Sequence, residues 1–134
     1  MSNPHRILLV DDGPATRQLV KNELRHAGYE CVEEVSDGCA GLHQLNTKQF
    51  DLLITDWYMP GLNGVELLRR VRGDARLAHL PVIMLSLSFR NELIIAAKDL
   101  GVSAHVTKPF APGSLAATVD QLLKHAHEPG SSHL

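Results

Sequence analysis

The chain has no excess of charge of either sign: 13 lysines and arginines stand against 15 aspartates and glutamates, a formal net charge of −2 over 134 residues. Without a basic field, binding to nucleic acid or to an anionic membrane lacks electrostatic support, so proteins and small ions are the expected partners. Cysteine is scarce as well, and the two present, Cys31 and Cys39, lack a metal-ligand pattern around them. No apolar run approaches the ~20 residues that a membrane-spanning helix requires. No charged-then-apolar leader precedes the first apolar run. A cytoplasmic chain in a reducing compartment is the expectation.

What is there is an ordinary globular composition, 44% hydrophobic and 21% charged, in a length that supports one two-sided core. Short apolar runs alternate with helix-period segments five times. The strand candidates are Arg6 to Val10, Cys31 to Val35, Asp51 to Thr55, Pro81 to Leu85 and Ala104 to Thr107. Ile-Leu-Leu-Val at 7 to 10 and Val-Ile-Met-Leu at 82 to 85 are near-continuous apolar runs, as in strands buried on both faces. Between them, Val20, Leu24 and Ala27, then Leu68 and Val71, then Leu93, Ala97 and Leu100, and finally Leu115, Val119 and Leu122 recur at helical spacing. Gly28 and Gly101 end helices in this reading, while Ser36-Asp37-Gly38 and Pro60-Gly61 precede them. Repeated βα units imply a doubly wound parallel sheet with right-handed crossovers, one domain over residues 1–127. Residues 128–134, with Pro129, Gly130 and two serines, are expected to form a flexible tail. His125, His127 and His133 suit a fraying helix end, with a metal site as the alternative.

Open parallel sheets bind ligands at the carboxyl ends of their strands. At those ends stand Asp11-Asp12, Asp56, Ser86 and Lys108. Singly, each has a plain structural explanation: a helix cap, a turn residue, a strand-end hydroxyl, a solvated amine. Jointly, three carboxylates at one edge repel one another unless a cation compensates, and Lys108 compensates only in part. Few hard oxygen ligands, with room left for water and phosphate, suit Mg2+; calcium wants a fuller cage. A carboxylate beside such an ion can take a phosphoryl group as an aspartyl phosphate.

These residues and their surroundings, Asp56-Trp-Tyr-Met-Pro-Gly-Leu-Asn-Gly64 with Leu-Val-Asp-Asp at 9 to 12, Met-Leu-Ser at 84 to 86 and Thr-Lys-Pro-Phe at 107 to 110, resemble the receiver domains of bacterial two-component response regulators. The single-domain chemotaxis regulator is among them. The resemblance covers roughly Arg6 to Leu123 and implies a five-stranded, flavodoxin-like sheet of order 2-1-3-4-5. It implies Asp56 as phospho-acceptor, with Mg2+ held by Asp12, Asp56, the Tyr58 backbone carbonyl and, partly through water, Asp11. Ser86 and Lys108 would grip the phosphoryl group, Ser86 and His105 would form the switch, and the Lys108–Pro109 bond is the candidate for a cis peptide. The implied phosphodonor is a sensor histidine kinase or histidine phosphotransfer protein, and the implied output is a downstream protein contact near the fourth helix, fifth strand and fifth helix. No effector domain is read after Lys124, and no separate substrate turnover is expected.

Three departures bear on function. His105 occupies a position that is commonly Tyr or Phe in the family, and a histidine there responds to pH. Tyr58 is large for its place two residues after the acceptor and should crowd hydrolytic water, whereas Ser88 gives no such block. Leu93, Ile94, Ile95, Ala96 and Ala97 exceed what one helix stripe can bury, which points to a partner or phosphorylation-dependent dimer contact, a deeper-packed helix being the alternative. Two other classes compete: a phosphate-independent interaction module of receiver type, and a phosphatase-type hydrolase, which resembles Asp-x-Asp where this chain has Tyr58.

Overall fold

The computed structural model describes residues 3–59, 61–87 and 91–127, and side chains over those ranges except at 3, 91–94 and 125–127. The elements run β1 (Asn3–Val10), α1 (Pro14–His26), β2 (Tyr29–Val35), α2 (Gly38–Thr47), β3 (Leu52–Asp56), α3 (Gly64–Gly73), β4 (Val82–Ser86), α4 (Asn91–Asp99), β5 (Ala104–Thr107) and α5 (Ser114–His127). All paired strands are parallel and the order is β2-β1-β3-β4-β5. This is the doubly wound, flavodoxin-like arrangement.

Strand alternation builds two cores from the same residues. Ile7, Leu9, Leu52, Ile54, Ile83 and Leu85 face α1 and α5, meeting Val20, Leu24, Leu115, Val119 and Leu123. Leu8, Val10, Leu53, Val82 and Met84 face the other way, onto Leu45 of α2, Leu67, Leu68 and Val71 of α3 and Ala97 of α4. The central runs are apolar throughout because both faces are covered.

The edge strand β2 buries Tyr29 and half-buries Val32 and Val35, and its outward carboxylates are paired with cations. Glu33 accepts from Arg6 at 2.9 Å and Lys48 at 2.7 Å, while Glu34 accepts from Arg17 at 2.8 Å and from Lys21. Those cations hold both carboxyls below the usual carboxylate value, the bond from Lys48 leading for Glu33 and that from Lys21 for Glu34.

Several boundaries differ from the sequence reading. β1 begins at Asn3 and β2 at Tyr29, because Asn3 pairs with Tyr29 across an irregularity before Arg6, and edge pairing needs no apolar side chains. β3 and β4 each sit one residue later and so include Asp56 and Ser86 themselves. Ala27 is exposed in the turn that Gly28, at φ +98°, closes, and the α5 stripe ends on buried Leu123 with Leu122 only half-buried. Gly101, at φ +89°, ends α4 as expected. Ser88, Phe89 and Pro60, the side chains of Leu93, Ile94, His125 and His127, and the tail from 128 to 134 lie outside what is described.

Candidate functional site

Asp11 and Asp12 leave the end of β1. Asp11 is 1% exposed and all its polar atoms are engaged. Its N–H donates to the Val35 carbonyl at 3.2 Å, and its carbonyl accepts from Arg17 Nη1 at 2.7 Å. Oδ1 accepts from the Gly13 N–H at 2.8 Å, and Oδ2 from Lys108 Nζ at 3.0 Å. The capping alternative is therefore not what the structure contains: the N-cap of α1 is Gly13, with no side-chain cap bond, followed by Pro14.

Asp56 ends β3, 9% exposed. Its register partner is Leu85, on the face that carries Ile54 and Leu52, so its carboxylate lies on the same side as that of Asp11. Lys108 Nζ lies 3.3 Å from Asp56 Oδ1 and thereby bridges the two carboxylates. Among the described residues, Asp11, Asp12 and Asp56 form a group whose ligand atoms all lie within 4.8 Å of one another. Burial pushes the Asp56 carboxyl above the ordinary carboxylate value; Lys108 opposes this, and the charges of Asp11 and Asp12 reinforce it.

Ser86 ends β4, 2% exposed, and the Lys108 N–H donates to its carbonyl at 2.7 Å. The Lys108–Pro109 peptide is cis, where the resemblance placed it. His105 pairs with Met84 and Thr107 with Ser86, which puts His105 on the same sheet face as Ser86, one pair further from the edge. Burial lowers the pKa of the half-buried ring from the ordinary imidazole value, because desolvation disfavours its charged form. Tyr58 follows at the rim, 61% exposed, its ring centroid 6.4 Å from that of buried Trp57.

Two contributors were given no role by sequence reasoning. Gly64 opens α3 against the end of β3: a Cβ there would lie 2.0 Å from the Asp56 carbonyl oxygen. Arg17 sits one turn into α1, and the tilt of helical side chains toward the N-terminus carries it back to the Asp11 carbonyl. The only sequence signal for it was its position one turn after Gly13-Pro14.

The fold and site thus define a doubly wound α/β protein with a lysine-bridged carboxylate cluster at the carboxyl edge of its sheet. The chain belongs to the response regulator receiver domain family, whose model matches residues 7–120. It is 40% identical over 122 residues to the chemotaxis protein CheY of Pseudomonas aeruginosa, covering 91% of this chain and 98% of that one. It is likewise 40% identical over 119 residues to chemotaxis protein CheY-3 of Vibrio cholerae, covering 89% and 92%. Among solved structures, a response regulator from Chloroflexus aurantiacus superposes with a TM-score of 0.86 at 34% identity, covering 91% of this chain and 99% of that one.

Proposed function

We propose that the chain is a phosphorylation-dependent switch that accepts a phosphoryl group on Asp56 from a phosphohistidine on a sensor kinase or phosphotransfer protein and signals through a protein contact. The observation that carries this reading is Lys108 Nζ placed 3.0 Å from Asp11 and 3.3 Å from Asp56, with Asp12 alongside. Both oxygens of Asp11 are committed within the fold, whereas the Asp56 carboxylate meets only Lys108 among the bonds described, which leaves it to attack.

The donor set fits a magnesium ion. Three carboxylates face one ammonium, and their unbalanced charge together with hard oxygen donors matches a divalent cation that keeps several waters. Asp12, Asp56 and the Tyr58 carbonyl would hold it, with Asp11 acting partly through water, and when bound it would offset charge on the phosphoryl oxygens. In the transfer, an Asp56 oxygen forms a bond to phosphorus as the phosphorus–nitrogen bond of the donor breaks, and the imidazole leaves and takes up a proton. Lys108 offers its ammonium to a phosphoryl oxygen and the Ser86 hydroxyl donates a hydrogen bond, so the work is positioning and electrostatics.

The proposed output is a protein contact on the face of α4, β5 and α5. In α4, Ile95 is 57% exposed and Ala96 is exposed, while Ala97 is buried, so the apolar surplus does reach solvent. Ser86 and His105 on adjacent strands would carry the change from site to face, as a shift between two existing arrangements.

Intact mass after incubation of the parent and Asp56→Asn with a small phosphodonor and magnesium tests the acceptor. A gain of one phosphoryl group in the parent alone is the expected result. No gain by folded parent would replace this reading with the phosphate-independent interaction module. Hydrogen exchange on the phosphorylated parent should change within residues 91–107; unchanged exchange there would remove the output face.

A further inference from the structure

We infer that Arg17 is a positioning residue that fixes the direction of the Asp12 carboxylate; this rests on the reading of the cluster as a magnesium site. Asp11 is locked through four polar atoms, whereas Asp12 is exposed and, among the described residues, no hydrogen bond holds its carboxylate. Its orientation comes from the chain that precedes it. The Asp11–Asp12 peptide is planar, so whatever holds the Asp11 carbonyl also sets the plane from which Asp12 departs. Arg17 Nη1 holds that carbonyl at 2.7 Å.

Arg17 is itself clamped. Its Nε donates to Glu34 Oε1 at 2.8 Å, and its side chain is mostly buried against β2. Lys21 shares Glu34, so two cations meet one carboxylate and the guanidinium keeps part of its charge beside the cluster.

Charge and positioning predict opposite signs. As a mere charge, Arg17 repels a divalent cation, and its removal tightens magnesium binding. As a positioning group, its removal frees the peptide and weakens binding.

The test is calorimetric titration of the full chain with magnesium chloride, comparing parent, Arg17→Met and Lys21→Met. Lys21→Met removes the same charge from the same Glu34 without touching Asp11. Arg17→Met should weaken magnesium binding about tenfold, the scale typical of groups that orient a ligand. Lys21→Met should bind at least as tightly as the parent. Arg17→Lys, which keeps the charge but loses the fork, should also weaken binding and serves if Arg17→Met does not fold. Without metal, the Gly13 amide, which donates to Asp11 Oδ1, should exchange faster in the Arg17 variant at a global stability matched to Lys21→Met. Magnesium binding by Arg17→Met as tight as that of the parent, or tighter, overturns the proposal. If the parent itself takes up no magnesium, the magnesium reading fails on its own. Gly13 amide exchange then decides Arg17 separately, and unchanged exchange overturns it.

Discussion

Burial sets the ionisation of Asp56 before any ligand arrives. Its folded pKa is raised, first by desolvation, so the carboxyl favours folding when protonated and opposes it when ionised. That contribution is fully present below the unfolded value of about 3.9 and is lost as pH rises through the folded pKa. In chelator at pH 7, Asp56→Asn should therefore raise the thermal midpoint by about 4 °C, the shift that ~1 kcal/mol makes in a chain of this size. The difference should vanish near pH 3, as thermal scans of both proteins across pH would show. A variant no more stable than the parent at pH 7 would mean that Lys108 outweighs burial. At this scale, Asp11, Asp12, Asp56 and Lys108 were legible because strand ends collect at one edge of a parallel sheet. Arg17 was not, because a long side chain reaching a carbonyl leaves no periodic trace. The downward shift of the His105 pKa also needed the fold, since it follows from burial.

Among the elements, α3 places the site by starting hard against β3. The Asn63 side chain accepts from the Glu66 N–H at 3.0 Å to begin the helix, and the Gly64 N–H donates to the Trp57 carbonyl at 3.1 Å. A methyl group at Gly64 meets the Asp56 carbonyl oxygen at 2.0 Å and its carbon at 3.0 Å, both of them backbone and unable to swing aside. Gly64→Ala should destabilise the fold by about 3 kcal/mol, the upper range for overpacking. At Gly73, near the other end of the same helix, an added Cβ meets nothing within 4 Å. Gly73→Ala should be neutral or stabilising by up to ~1 kcal/mol. Urea unfolding of the pair checks the opposite signs, and equal effects would show that α3 can slide away from β3. The helix stripes of α3 and α5 and the strand interiors were readable from period alone. Strand starts were not, since Asn3 pairs with Tyr29 of the edge strand beyond an irregularity before Arg6, where polarity is no obstacle.

Across the whole molecule, one sheet serves two cores. Every central strand sends alternate residues to α1 and α5 on one side and to α2, α3 and α4 on the other, so neither core can open without dismantling the strands of its partner. The carboxylate cluster hangs from the ends of β1 and β3, two central strands of the order β2-β1-β3-β4-β5. A cation bound there should therefore stabilise both faces equally, although its ligands lie at one edge. At a magnesium concentration near 100 times its dissociation constant, mass action supplies about 2.7 kcal/mol. Hydrogen exchange of the slowest amides in α1 and α5 should slow by the same factor as in α3, about a hundredfold. Slowing confined to α3 and the strand ends would show that the two cores unfold as separate units. The added protection should disappear in Asp56→Asn, which keeps the packing and loses a ligand charge.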